Sequence, residues 1–131
     1  MKYAQGMIIG RKFSDVDSKG RTVIASTFRH QLEGAEILFM VKKRAEGYPV
    51  LELRPDIKID FEKMTEEDRL RLGCAIPLAL DNQGRVRFIE GTLEYLAKNE
   101  EIPKRILQTG GGDRIYIWHP ADFADWENKH L

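Results

Sequence analysis

The sequence predicts an α+β fold built from two tandem, pseudo-symmetric copies of a β-hairpin and short-helix unit. Three observations carry that reading. One stretch occurs twice, as Val16-Asp17-Ser18-Lys19-Gly20-Arg21-Thr22-Val23-Ile24 and as Leu80-Asp81-Asn82-Gln83-Gly84-Arg85-Val86-Arg87-Phe88, with 81 − 17 = 64 and 85 − 21 = 64. Pro55 and Pro120 lie 120 − 55 = 65 apart, so the repeat spans the unit to within one residue. Runs of β-branched and apolar residues alternate with Gly, Asp and Pro turn signals, with helix caps between them. Each unit is only about 60 residues long, too small to bury a comfortable core alone. Residues 1–131 are therefore expected to form a single compact domain made of two repeats, one over 10–72 and one over 74–131.

Residues 1–12 are a lead-in in which Met7, Ile8 and Ile9 suit a short strand or a docked arm. Phe13 to Val16 and Thr22 to Ile24 are strands flanking the Asp17–Gly20 turn, where Asp accepts from backbone amides and Gly tolerates positive φ. Ser26 caps a helix over 26–33 that stops at Gly34. Glu36 to Lys42 is an apolar strand, Arg44 to Pro49 a turn around Gly47, and Val50 to Arg54 an alternating strand ended by Pro55. Ile57 to Phe61 alternates briefly. Thr65 opens a second helix whose Glu66, Glu67 and Asp68 suit the positive end of the helix dipole. Ala75 to Leu80 leads into the second hairpin. Arg85 to Ile89 is a strand, and Leu93, Leu96 and Ala97 mark a helix near 91–99. Lys104 to Gln108 and Arg114 to Trp118 are strands around the Gly110–Asp113 turn. Pro120 starts a closing helix through Phe123 and Trp126.

Lys and Arg number 21, and Asp and Glu number 21, which argues against broad nonspecific binding to polyanions but leaves room for a local basic face. One cysteine, Cys74, excludes an intrachain disulfide or a cysteine metal cluster and suits a reducing compartment. Its expected role is a buried structural thiol. His30, His119 and His130 lack metal-ligand spacing, and Gly110 to Gly112 lack the Lys-Ser/Thr of a P-loop. Trp118 and Trp126 read as packing residues, and Asp122, Asp125 and Glu127 as a solvated helix face. No catalytic, metal or cofactor constellation is present, and no long apolar segment opens the chain.

The repeated stretch carries the candidate chemistry. Arg21 and Arg85 at hairpin tips can reach phosphates or the guanine edge, with Lys19, Arg29 and Arg87 nearby. Asp17, Gly20, Asp81 and Gly84 would set the turn and orient the arginines. The alternative is an ion pair that only holds each turn. Both can hold, with Asp orienting the Arg that meets the phosphate.

These twin Asp-x-x-x-Arg motifs, the DSKGRTVIASTFRHQL stretch around the first, and the closing IPKRILQTGGGDRIYIWHPADFADW resemble the MraZ family, within the wider AbrB-like swapped-hairpin superfamily. The resemblance covers about Gly10 to Trp126. It implies interleaved hairpins forming a swapped-hairpin, AbrB-like β-barrel with short flanking helices. It also implies side-by-side association into closed homo-oligomeric rings, and transcription regulation in bacteria through short repeated operators in double-stranded DNA. A cytoplasmic, nucleoid-associated location follows, with no membrane and no small-molecule substrate. The chain departs from the family pattern at Ala25, where proline is usual, at Glu90, and at Leu93-Glu94 where a basic residue is typical. The stretch 56–74 is also short for the family. A different class of function, a partner-binding or assembly protein of antitoxin type without operator binding, is favoured by the neutral charge, Gln83 and Glu94. The first tip, with Lys19 and Arg29, is the better candidate for DNA contact.

Overall fold

A computed structural model describes residues 7–131. The part of the lead-in over 1–6 lies outside the described residues. Eight strands run in chain order: β1 (Arg11–Asp15), β2 (Arg21–Val23), β3 (Ile37–Ala45), β4 (Tyr48–Pro55), β5 (Ile76–Ala79), β6 (Arg85–Arg87), β7 (Arg105–Gly110) and β8 (Ile115–Trp118). The helices are α1 (Ser26–Arg29), α2 (Glu66–Leu72) and α3 (Pro120–His130).

Six strands form an antiparallel sheet in the order β1-β7-β8-β4-β3-β5, and β2 pairs with β6 in a separate ladder. Exchanging each strand for its counterpart in the other repeat reverses that order and leaves it otherwise unchanged. Each first hairpin strand therefore leaves its own repeat to find a partner: β1 pairs with β7, and β5 with β3. Between β2 and β6, Thr22 faces Val86, its own counterpart 86 − 22 = 64 residues on, so the pseudo-twofold axis passes through that pair. The interleaving expected of the hairpins is present. The ladders do not join into a hydrogen-bonded closed barrel, because β2 and β6 are three residues long and pair only with each other.

The offset is less constant than the landmarks suggest. Ser14 faces Ile106, and its counterpart Leu78 faces Leu38, so Leu38 matches Ile106 at 106 − 38 = 68. The β3–β4 hairpin compensates. Its strands continue to a two-residue turn at Glu46 and Gly47, both at positive φ, instead of opening into the wider Arg44–Pro49 loop.

Apolar residues from both repeats fill one core: Ile24, Phe28, Leu38, Leu51, Leu53, Phe88, Leu96, Ile106 and Ile117 are buried together. On the opposite face Trp118 packs against Phe123 and Trp126 of α3, as expected of packing tryptophans. That face also buries Glu52, which Arg54, Lys43 and Arg114 neutralise at 2.9, 3.2 and 3.3 Å. A buried carboxylate is tolerable only with such partners.

Several local expectations are corrected. The helix over 26–33 is α1 followed by a 3-10 turn over His30–Leu32. The helix near 91–99 is only a 3-10 turn, Leu93–Leu96, because the backbone turns extended at Ala97, with ψ 141°, and reaches positive φ at Asn99 and Glu100. Ile57 to Phe61 begins in a 3-10 turn, Asp56–Lys58, and forms no strand. Cys74 is exposed, since it lies in the turn where α2 ends and its amide bonds Arg71 O. Asp122 is buried and accepts from Lys98 Nζ at 3.0 Å, so the α3 acidic residues are not uniformly solvated. Ile8 does dock as an arm: it is buried and bridges Gly112. That arm explains Gly110, where a Cβ would come within 2.4 Å of Ile8 O.

Candidate nucleic-acid interface

The two hairpin tips have the same internal geometry. Asp17 Oδ1 accepts from the backbone N–H of Lys19 at 2.9 Å and of Arg21 at 2.8 Å, and Oδ2 accepts from Arg21 Nε at 2.8 Å. Asp81 does the same with Gln83, Arg85 and Arg85 Nε, at 2.9, 2.8 and 2.8 Å. Gly20 and Gly84 close the loops at φ +79° and +75°, a region where side chains are costly. The Arg21 amide, then its guanidinium and the Lys19 amide, hold the Asp17 carboxyl below its usual value. The Arg85 amide and guanidinium do so for Asp81. Each aspartate thus fixes its arginine by Nε, and among the described residues no hydrogen bond engages the outer guanidinium nitrogens. Arg21 and Arg85 remain about one-third exposed.

The tips also lock onto each other. Ile24 N–H donates to Gly84 O at 2.8 Å, and Phe88 N–H to Gly20 O at 2.9 Å, a symmetric exchange across the axis. Arginines add a second tie, but from non-equivalent positions. Arg29 Nη2 donates to Gln83 O at 2.8 Å and its Nε to Ile24 O at 3.3 Å. Arg87 Nε donates to Lys19 O at 3.1 Å. Lys19 and Gln83 are counterparts, so both tips receive an arginine at the same carbonyl. The second repeat has Leu93 where the first has Arg29, and Arg87 on β6 supplies the missing tie. Arg21 and Arg87 oppose each other in the ladder, and the Asp17 carboxylate that holds Arg21 at 2.8 Å offsets the like-charge repulsion between them.

All five sequence-derived cations, Lys19, Arg21, Arg29, Arg85 and Arg87, therefore converge on the β2–β6 ladder and its two loops. Arg29 and Arg87 direct their bonds to backbone carbonyls of the opposite tip, while Arg21 and Arg85 are held by their own aspartates. Only Asp17 and Asp81 among the tip residues offset the charge. The cross-repeat role of Arg29 and Arg87 has no sequence signal, since the partners are 54 and 68 residues away. Among the described residues no cluster of His, Cys, Asp and Glu could hold a metal ion. Among the described residues no helix is long and apolar enough to cross a membrane.

Cross-paired repeats presenting twin arginine tips define a two-repeat interleaved-hairpin protein. No family model matches the chain. It is 32% identical over 130 residues to the transcriptional regulator MraZ of Nitratidesulfovibrio vulgaris strain DSM 19637 / Miyazaki F, with 87% of this chain and 81% of that protein covered. It is 27% identical over 135 residues to the transcriptional regulator MraZ of Clostridium acetobutylicum, covering 95% and 90%. The MraZ protein of Clostridium tetani gives the same figures, 27% over 135 residues. The chain belongs to the MraZ family.

Proposed function

We propose that this chain is a DNA-binding transcription regulator, not an enzyme, which reads short repeated operators in double-stranded DNA as a ring-like homo-oligomer in the cytoplasm. The observation that carries the reading is the pair of arginine tips, each braced by an aspartate and tied to the other by β2 and β6. Rigid guanidinium groups with free outer nitrogens suit phosphate oxygens or the guanine edge. Bracing reduces the side-chain entropy lost on contact. The reading takes the chain as one domain of units 10–72 and 74–131, and the cross-repeat pairing of β1 with β7 supports it. The family's swapped-hairpin barrel is then the parent of the open sheet and ladder seen here.

One chain offers few contacts, and its net charge is zero. Repetition around an oligomer would raise avidity by roughly 10²–10⁴ without any new contact type. The test is selection of duplex DNA from a randomised pool, followed by a salt titration of binding. Arg21→Ala and Arg85→Ala should each weaken binding and flatten the salt dependence by about 0.9 in log–log slope per lost phosphate contact. Unaltered binding by both variants would refute the reading. The antitoxin-like alternative gains some support from the Arg29 and Arg87 ties, which direct two of the five cations to the fold. A stable oligomer that enriches no duplex sequence would favour it.

A further inference from the structure

An exposed basic groove beside the first repeat, completed by Arg105 of β7, has no equally charged counterpart across the pseudo-twofold axis. It lies between β1, β2 and α1, is about 690 Å³ in volume, and is lined by Lys12, Phe13, Asp15, Val23, Arg29 and Arg105. Three cations face one carboxylate there. Arg105 lies over the Phe13 ring, with Cζ 4.6 Å from the centroid, and Phe13 itself is 47% exposed. Stacking on a ring uses the face of the guanidinium and leaves its N–H fork for an incoming oxygen. Among the described residues no hydrogen bond or ion pair engages the side chain of Lys12 or Arg105.

The counterparts of these cations are apolar. Lys12 corresponds to Ile76 at 76 − 12 = 64, and Arg29 to Leu93 at 93 − 29 = 64. Arg105 faces Asp15, whose counterpart Ala79 faces Ile37, so Arg105 corresponds to Ile37. Ile76 and Leu93 pack against the core, and Ile37 is partly buried. The axis that makes the tips alike thus separates a charged flank from an apolar one. Arg29 joins the groove to the tips, since its guanidinium lies directly over Gly84.

We propose that this groove is a phosphate track for double-stranded DNA, which Lys12 and Arg105 grip beside the tips so that the duplex lies across the pseudo-symmetric pair in one direction only. The proposal rests on the DNA-binding reading of the tips. Its partner is chosen by charge and by continuity: a basic rim contiguous with two guanidinium tips suits a polyanion long enough to reach both. The exposed Phe13 and Val23 give the sugar edge an apolar floor.

The experiment uses the whole 131-residue chain and a duplex recovered by that chain from a randomised pool, with fluorescence anisotropy at 50 to 200 mM salt, a range over which about 6–10 phosphate contacts lose roughly 10³–10⁵ in affinity. Lys12→Ala with Arg105→Ala should weaken binding roughly tenfold and lower the salt slope by about 0.9 per contact. Lys12→Glu should weaken it further, and Arg105→Lys should restore part of the slope. Thermal melting confirms that each exposed variant is folded. Unchanged affinity and slope in the double alanine variant, while Arg21→Ala loses binding, would overturn the groove and spare the tips. A wild-type chain that enriches no duplex would overturn both. Polyglutamate peptide is the second probe: binding of the peptide that depends on Lys12 and Arg105, without any effect of these residues on the duplex, would assign the groove to an acidic protein segment and overturn the track.

Discussion

The backbone N–H of Ala25 donates to Oε1 of Gln108 at 2.8 Å, in full burial. The same amide group of Gln108 donates through Nε2 to Val23 O at 2.8 Å and to Ser14 Oγ at 2.9 Å. One side chain from β7 thus satisfies the backbone on both sides of Ile24, where the first repeat turns from β2 into α1. Ala25 stands where the family pattern usually has proline, and proline has no N–H to give. The departure has a counterpart in space: an alanine whose amide is used, and a glutamine that uses it. The equivalent of Gln108 in the first repeat is buried Met40, so the turn after β6 has no such strut.

Ala25 sits at φ −50°, which proline can adopt. Ala25→Pro should nonetheless cost about 1–3 kcal/mol, the penalty for leaving a buried acceptor without its donor. Gln108→Met should cost about 2–4 kcal/mol, since the Ala25 amide and Val23 O both lose their partner. Combined, the two should cost at least about 0.5 kcal/mol less than their sum. Urea denaturation of the four proteins checks this, and strict additivity would sink the pairing.

Gly84→Ala should destabilise more than Gly20→Ala. Both positions have positive φ, which costs an L-residue roughly 1–2 kcal/mol. At Gly84 a Cβ would also come within 2.5 Å of Arg29 Nε, whereas at Gly20 its nearest neighbour is Phe88 O at 3.1 Å. The alanine at 84 must therefore displace the arginine tie. Gly34→Ala meets nothing within 4 Å and measures the backbone cost alone. Equal losses at 20 and 84 in chemical denaturation would count against the tie.

Arg29→Lys and Arg87→Lys keep the charge and lose the planar fork. Amide exchange should then quicken at Ile24 in the first variant and at Phe88 in the second. The expected factor is about fivefold, matching roughly 1 kcal/mol for one net hydrogen bond. If exchange at both amides stayed at the wild-type rate, the arginines would be ornaments on tips already rigid without them.

Both motif aspartates titrate below their ordinary value in the folded chain. A depressed folded pKa means that the contribution is present above the unfolded pKa, near 3.8, and fades as pH falls through the folded one. Stability measured from pH 7 down to 2 should therefore drop below about pH 4. The Asp17→Asn, Asp81→Asn double variant should start lower at pH 7 and show a shallower acid limb. An identical acid limb in both proteins would show that other carboxylates set it.

Much of this was legible from local chemistry. The Asp, Gly and Arg of each motif act within five residues, so the turn, the ion pair and the two strands could be read directly. The closing helix was equally plain, because Pro120 and the aromatic residues after it act locally. What escaped depends on distant partners. Arg29 and Arg87 read as free cations because the carbonyls they bond belong to the other repeat. Buried Glu52 gave no warning, since its neutralising Lys43 arrives from β3 and Arg114 from the bend before β8. Cys74 was expected inside from its general apolar character, and its place at the end of α2 put it outside. The helix near 91–99 rests on spacing alone, and the extended Ala97 with positive φ at Asn99 and Glu100 ends it after one turn.

The reversed strand order has a consequence for how the chain comes into being. Arg11 pairs with Thr109, and neither of the two edge strands finds its neighbour in its own repeat. The first half emerges from the ribosome with β1 and β2 lacking every strand they will eventually bond. Long-range pairing of this kind slows folding, because loop closure must precede any reward. Until Arg85–Arg87 has been synthesised for β2, and Arg105–Gly110 for β1, their unpaired edges are open to any matching strand, including one from a neighbouring nascent chain.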